Sequence, residues 1–487
     1  MSGTGTGQAV STGPADRDDG RPPAGRTAGR LVLGAASLTL LAVSVPVLVR
    51  GAPLADDFHN CLAPQDRGLQ GFFGDSFERL GLIRPARFVE ILVTTGACQH
   101  LPFGVAIAVN LVLTFAVALL LRRLLASLGA AAPWPDVAAA VWLLQPLGTE
   151  VALWPAALHV PLGLAAALGC LLAVRRERLW LAVLLGLAAM LSVEQVVLAL
   201  PLAAWLVAPP DRRRAAAAAT GAAAGAVLTG YLLVPGNDPR LAAGAGDRLE
   251  GLVGDLGFLV RYPAAAAGAE SIPLAVWWAF PVSVAVLALG AVAGWRWAAR
   301  GWPESPRPAR PVRLRPVLGV ILLVLLLNVP VLASQPPQGS PRVFAPTWLL
   351  LAALVAVGLG RGSGRRYRRL TGAAGGLYLA GAALSLALSA WVRVETATVV
   401  ERVSDRLAAQ TRDGETVQLC DVPRAAVSPA PRGAFAVQDY LYEWAAADAL
   451  RYHTGRRATV RVVQAPAGCP PSRTVRTLRY ADLAEPR

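Results

Sequence analysis

The stretch LVLGAASLTLLAVSVPVLVRGAPLADDFH, residues 31–59, decides how this chain is read. Residues 31–49 carry no charged side chain, and at ~1.5 Å per helical residue they are long enough to cross a hydrocarbon layer about 30 Å thick. Arg26 and Arg30 precede the run. Basic residues stay on the cytoplasmic side, so the chain is expected to be outside by Ala55. There it presents Asp56-Asp57-Phe58-His59. Two adjacent carboxylates and an aromatic at the exit of a span form the point on which the other polar residues are read to converge.

The remainder of the 487 residues fits this reading. The chain is 55% hydrophobic, with a mean hydropathy of +0.48, and the apolar residues fall in long runs rather than in alternation. That pattern predicts an all-α polytopic membrane protein. The net charge of +15 comes from arginine alone, clustered between the apolar runs. Such clusters set orientation, and no basic, aromatic-bearing surface accompanies them, so no nucleic-acid partner is expected. With no lysine in the chain, a phosphate-binding Gly-Lys loop is excluded, and with it a nucleotide-sugar site of that kind.

Read in order, residues 1–29 are polar and predicted to be a disordered cytoplasmic tail. Residues 30–391 form the membrane domain, in which residues 50–100 are the first outer loop, amphipathic and lying along the membrane surface. Apolar runs at 31–49, 101–121, 137–147, 157–174, 179–191, about 196–211, 215–234, 272–292, 317–333, 347–359 and 370–391 predict about eleven spans. The arginine clusters after residues 121, 174, 211 and 360, and the Arg- and Pro-rich stretch 295–315, which is the strongest cytoplasmic signal, then all lie inside. The N-terminus is inside the cytoplasmic membrane and the C-terminus outside. From residue 392 the composition becomes mixed and charged. Segments 416–420 and 458–463 read as strands and 435–452 as a helix, so residues 392–487 are predicted to be a small extracytoplasmic α/β domain. Cys61 and Cys98 share the first outer loop, and Cys420 and Cys469 share the C-terminal domain, leaving Cys170 in an apolar run. Two pairs on the outer side are disulfide candidates of an oxidising compartment, and a 420–469 bridge would strengthen a domain with a small core.

The outer ends of the spans collect Asp56, Asp57, Glu150, Glu194, Arg84 and Arg342, with His59, His100 and His159. Charged groups at membrane depth are costly and mark function by default, although any one of them is equally an ordinary loop charge. The set suits glycosyl transfer. Asp57 or Asp56 takes the proton of an acceptor hydroxyl. Arg84 or Arg342 holds the phosphate of a lipid-linked donor. The histidines lack metal-ligand spacing.

These residues resemble the GT-C superfamily of integral-membrane glycosyltransferases, nearest to its protein O-mannosyltransferase-like and arabinose-transferase-like groups. An acidic pair follows the first span in that family, as Asp56-Asp57 does here. An Arg-Pro step precedes the second span, as Arg84-Pro85 does, and His100, Pro102 and Asn110 match its opening. Pro146, Glu150 and Trp154 match a Pro-x-x-x-Glu-x-x-x-Trp pattern, Ser192-Val193-Glu194 a Ser-x-Glu pattern, and Arg342-Val343-Phe344-Ala345-Pro346 a late outer-loop motif. The chain departs from the family at Val193, where a lysine is usual, and at Gln145-Pro146, where His-Pro is usual. The resemblance implies a polyprenyl-phosphate sugar donor, transfer at the outer face, and a glycan, lipid or protein acceptor, with Glu150, Glu194, His59 and His100 among the substrate contacts. No cofactor is required by these residues; in some relatives a divalent cation takes part, and Asp57 with Glu150 or Glu194 is the place for it.

A transporter or flippase of lipid-linked sugars is the alternative. It would call for internal repeats and matched Gly- or Pro-broken spans. No repeat is evident, and the carboxylates gather at one face.

Overall fold

The structure, a computed structural model, describes residues 24–54, 57–62, 85–130, 132–144, 148–233, 345–360, 365–422, 443–464 and 475–484, with a few isolated positions at 65, 68 and between 319 and 327. It is mostly helical. In chain order the helices are α1 (Ala24–Arg50), α2 (Pro85–His100), α3 (Gly104–Ser127), α4 (Trp134–Leu143), α5 (Gly148–Leu153), α6 (His159–Arg175), α7 (Leu179–Met190), α8 (Val196–Val207), α9 (Arg213–Leu233), α10 (Ala345–Gly360) and α11 (Arg365–Gln410). A 3₁₀ turn, Pro155–Ala157, joins α5 to α6. Proline opens α2 and this turn and lies in the first turn of α4, where its fixed φ suits helix entry and its missing N–H costs nothing.

Among the described residues three helices are long and apolar enough to cross a membrane: Arg26–Arg50, Gly104–Ser127 and Pro155–Arg175, of 25, 24 and 21 residues. They mark the protein as membrane-associated. Only 22% of the apolar stretch of the first is covered by protein, and Leu31, Leu38, Val45 and Val49 point outward, a placement that suits lipid rather than water. The expected eleven spans are not seen among the described residues. The apolar runs at 137–147, 179–191 and 196–211 form helices of only 10 to 12 residues, about 15–18 Å long against a hydrocarbon layer of about 30 Å. The helix at 137–147, α4, is apolar because α1, α3 and α10 pack on it. By contrast, α7 and α8 pack on α6, α9 and each other with one side and leave Trp180, Leu184 and Trp205 exposed on the other. The run at 272–292 and most of 317–333 lie outside the described residues. Two expected boundaries also move. α1 begins at Ala24, inside the predicted tail, because Arg26 and Arg30 are good helix formers. α11 runs 46 residues through position 392, since its composition changes while its helical pattern does not.

The two ends of the bundle differ in charge. At one end Arg175 donates to the carbonyls of Val207 and Ser127, Arg122 pairs with Asp136, and Gly29 leaves room for that aspartate, whose Oδ2 would lie 2.7 Å from a Cβ there. At the other end Gly104 lets α3 approach α1, because a Cβ would fall 2.3 Å from the Leu48 carbonyl oxygen. Arg50, at the end of α1, pairs there with Glu401 on α11.

Beyond that end, α11 leads into β1 (Thr416–Val422), α12 (Glu443–Thr454), β2 (Thr459–Gln464), β3 (Arg476–Arg479) and α13 (Tyr480–Ala484). The sheet order is β2-β1-β3 with both pairings parallel, so α12 is the crossover from β1 to β2. β1 is central and reads as a continuous buried run, Val417 to Cys420, as parallel strands do. Val403 and Leu407 of α11 complete its core with Leu419, Leu450, Val460 and Leu478. Strand β3 escapes the sequence reading because only Leu478 of its four residues is buried. The crossover helix lies beside α11, with Ala449 near Ala397 and Val400 and Arg456 donating to Ala408 and Thr411. It therefore runs away from the bundle, and the strands run back toward it.

Candidate functional site

Beyond α1, Leu54 and residues 57–62 form a strap pinned on three sides. Asp57 is fully buried. Its Oδ2 accepts the Leu54 N–H and its Oδ1 the Ala156 N–H, both at 3.1 Å, which ties the strap to the turn before α6. Asn60 turns toward α2: its amide donates to Glu90 Oε1 at 3.4 Å, and its carbonyl accepts from Thr95 at 2.9 Å. A Cys61–Cys98 disulfide follows. Closing a loop of this size stabilises by about 4 kcal/mol on the chain-entropy account. Phe58 faces the third side, against α11 and α12.

Around the strap stand further polar side chains, of which the sequence reading singled out His159 and Asn110 but not Arg393 or Glu90. Arg393 of α11 is 3% exposed and has Nη2 at 3.8 Å from Asp57 Oδ2. Glu90, 2% exposed, has Oε2 at 2.7 Å from His159 Nδ1. Asn110 on α3 donates to the carbonyls of Val151 and Trp154, fixing α5 and its turn, and its buried Oδ1 has no hydrogen-bond partner among the described residues. Asp57, Arg393, Glu90 and His159 thus bring two carboxylates, one guanidinium and one imidazole to the end of the bundle opposite its arginine cluster. Unpaired, such charges would each cost several kcal/mol in a buried setting.

The other expected site residues fare differently. Asp56, Arg84 and Arg342 lie outside the described residues. Glu150 is carried by α5, the helix that Asn110 clamps; its side chain is outside the description. Glu194 is half-buried in the turn between α7 and α8. That turn packs on α6 where Gly163 leaves only 2.6 Å for a Cβ before Val193 Cγ2, one helical turn from His159. His100 ends α2 and is exposed, away from Asp57's contacts. His59 is also exposed and faces Asp448 of α12 at 3.5 Å. Cys420 is disulfide-bonded, its expected partner Cys469 lies outside the described residues, and Cys170 is free and buried. Among the described residues no three His, Cys, Asp or Glu side chains converge to hold a metal ion.

Two residues of α12 report on the strap. Burial raises the Tyr452 hydroxyl above its ordinary value, and the Asp57 charge adds to this. Burial lowers His453 below its ordinary 6.5; Asp405 opposes the shift and Arg50 assists it. A depressed imidazole contributes stability that is complete above its unfolded value and is lost as pH falls through its folded value. The contact of α12 with the strap should therefore loosen on acidification below about 6.5. Hydrogen exchange of residues 443–454 across that range checks this, with His453→Gln expected to flatten the dependence. The His59–Asp448 pair at the same contact, with His59 53% exposed, contributes weakly.

No family model matches this sequence, and no curated protein matches it either.

Proposed function

We propose that the protein is a membrane glycosyltransferase of GT-C type, moving a sugar from a polyprenyl-phosphate donor to a glycan, lipid or protein acceptor at the outer face of the cytoplasmic membrane. The observation that carries this reading is the cluster of buried Asp57, Glu90 and Arg393 with the partly exposed His159, at the end of the bundle opposite the arginine cluster of Arg122, Arg175 and their neighbours. Glycosyl transfer needs a proton acceptor for the hydroxyl, a cation near the departing phosphate, and little water to compete as acceptor. Basic clusters stay inside, so the opposite end is the outer one, where lipid-linked sugars are presented. The resemblance adds Arg84 and Arg342 as phosphate contacts and Glu150 and Glu194 as sugar contacts.

Membranes from cells making the protein are incubated with a panel of labelled polyprenyl-phosphate sugars. Label is expected in a glycan, lipid or protein product, and Asp57→Asn, checked for normal insertion, should lower transfer by about 10²-fold or more. Translocation of the lipid-linked sugar without transfer would replace this reading by a flippase.

A further inference from the structure

We infer that His159, oriented by Glu90, is the group that takes the proton from the acceptor hydroxyl. The inference rests on the glycosyl-transfer reading above and relocates its base from the acidic pair to a dyad between α2 and α6. Both oxygens of Asp57 already hold backbone N–H groups of Leu54 and Ala156, with Arg393 beside them. That carboxylate fixes the strap. The dyad is arranged differently. Glu90 is 2% exposed and lies 2.7 Å from His159 Nδ1. An ionised carboxylate offers only lone pairs, so the hydrogen of this contact sits on Nδ1 and the Nε2 lone pair is left to accept a proton. His159 is also the only one of the four charged or titratable groups with an appreciably exposed side chain, at 17%, against 0–3% for Asp57, Glu90 and Arg393.

The sequence places the imidazole where a substrate can meet it. His159 is the first residue of α6, reached through the Pro155–Ala157 turn that Asp57 holds and beside the α5 carbonyls that Asn110 holds. Asp57 and Asn110 are thus positioning residues, and Glu90 orients the ring. In the step, the acceptor oxygen bonds to the anomeric carbon while its proton passes to Nε2. The bond from the anomeric carbon to the phosphate oxygen breaks, and its electron pair leaves with polyprenyl phosphate. The imidazolium is stabilised by the Glu90 carboxylate at Nδ1–H, and then gives its proton to water or to the departed phosphate. The arrangement follows the general pattern in which a carboxylate fixes the tautomer of a histidine base.

The test uses the full-length protein in membranes with the labelled donors. His159→Gln is expected to lower kcat about 10²–10³-fold with the donor KM unchanged. Glu90→Gln, which keeps an acceptor for Nδ1–H but removes the charge, should lower kcat about 10-fold or more by the same reasoning. Added imidazole should restore activity to His159→Ala, which a packing role would not predict. Wild-type kcat in His159→Gln overturns the assignment and leaves glycosyl transfer standing. So does a loss seen only in KM or in thermal stability, with no response to imidazole. Absence of transfer by the wild type with every donor overturns the glycosyl-transfer reading itself.

Discussion

Arg393→Leu is expected to destabilise the folded protein by about 3–5 kcal/mol, the cost of leaving one partner of a buried ion pair uncompensated. Asp57 is fully buried and Arg393 nearly so, with 3.8 Å between Nη2 and Oδ2. The leucine would supply comparable apolar volume, so lost packing contributes little and the charge on Asp57 dominates. Asp57→Asn is a different lesion. Both carboxylate oxygens accept backbone N–H groups, and an amide can offer an acceptor to only one of them, at about 1–3 kcal/mol for the donor left facing an NH₂ group. The double variant removes both charges and should be less damaged than the sum of the two single changes. Thermal unfolding of the four proteins in one detergent gives the cycle. Additive losses, or an unchanged midpoint for Arg393→Leu, would show that the two side chains are not coupled. The measurement requires no knowledge of the substrate, so it tests the architecture of the cluster separately from its chemistry.

The same cluster shows what one sequence can and cannot reveal. Residues 31–49, 101–121 and 157–174 were legible as long helices because an uncharged run of that length has few other ways to satisfy its backbone. Shorter runs misled, because apolar composition reports only that a helix is surrounded by apolar atoms. In α7 and α8 those atoms belong to α6 and α9 as well as to the surroundings. Asp57 could be found from its place just beyond a span. Glu90 could not: Phe88-Val89-Glu90-Ile91 reads as an amphipathic surface segment, and only the strap folding over α2 buries the carboxylate. Arg393 was hidden by a boundary. The charged stretch after Trp391 resembles the start of a soluble domain, yet α11 continues through it without a break. His159 was visible as a histidine at the exit of a run, but its partner lies 69 residues earlier, a separation that no local pattern encodes.

Phe58→Ala is expected to release the C-terminal sheet from the bundle, at a cost of about 3–5 kcal/mol for a buried phenylalanine. Phe58 is completely buried among Leu54 of its own strap, Ala397 and Val400 of α11, and Ala449 of α12. Its ring meets Tyr452 edge-on at 5.6 Å and His453 at 5.8 Å. Small alanines on α11 and α12 leave a slot that the ring fills, and they are too short to close it once the ring is gone. The ion pairs at the same junction, Arg50–Glu401 and His59–Asp448, are partly exposed and contribute much less. Hydrogen exchange should therefore rise in residues 443–454 and in the strap while residues 104–127 keep their protection. Leu450→Ala provides the contrast, because Leu450 belongs to the core of the sheet itself and its loss should loosen β1 and β2 together with α12. If Phe58→Ala left α12 as protected as in the wild type, α11 alone would be holding the C-terminal unit in place. If it exposed α12 and also lowered sugar transfer, the strap would be shown to carry both jobs, because the residue that docks the sheet is the immediate neighbour of the carboxylate that fixes the turn before His159.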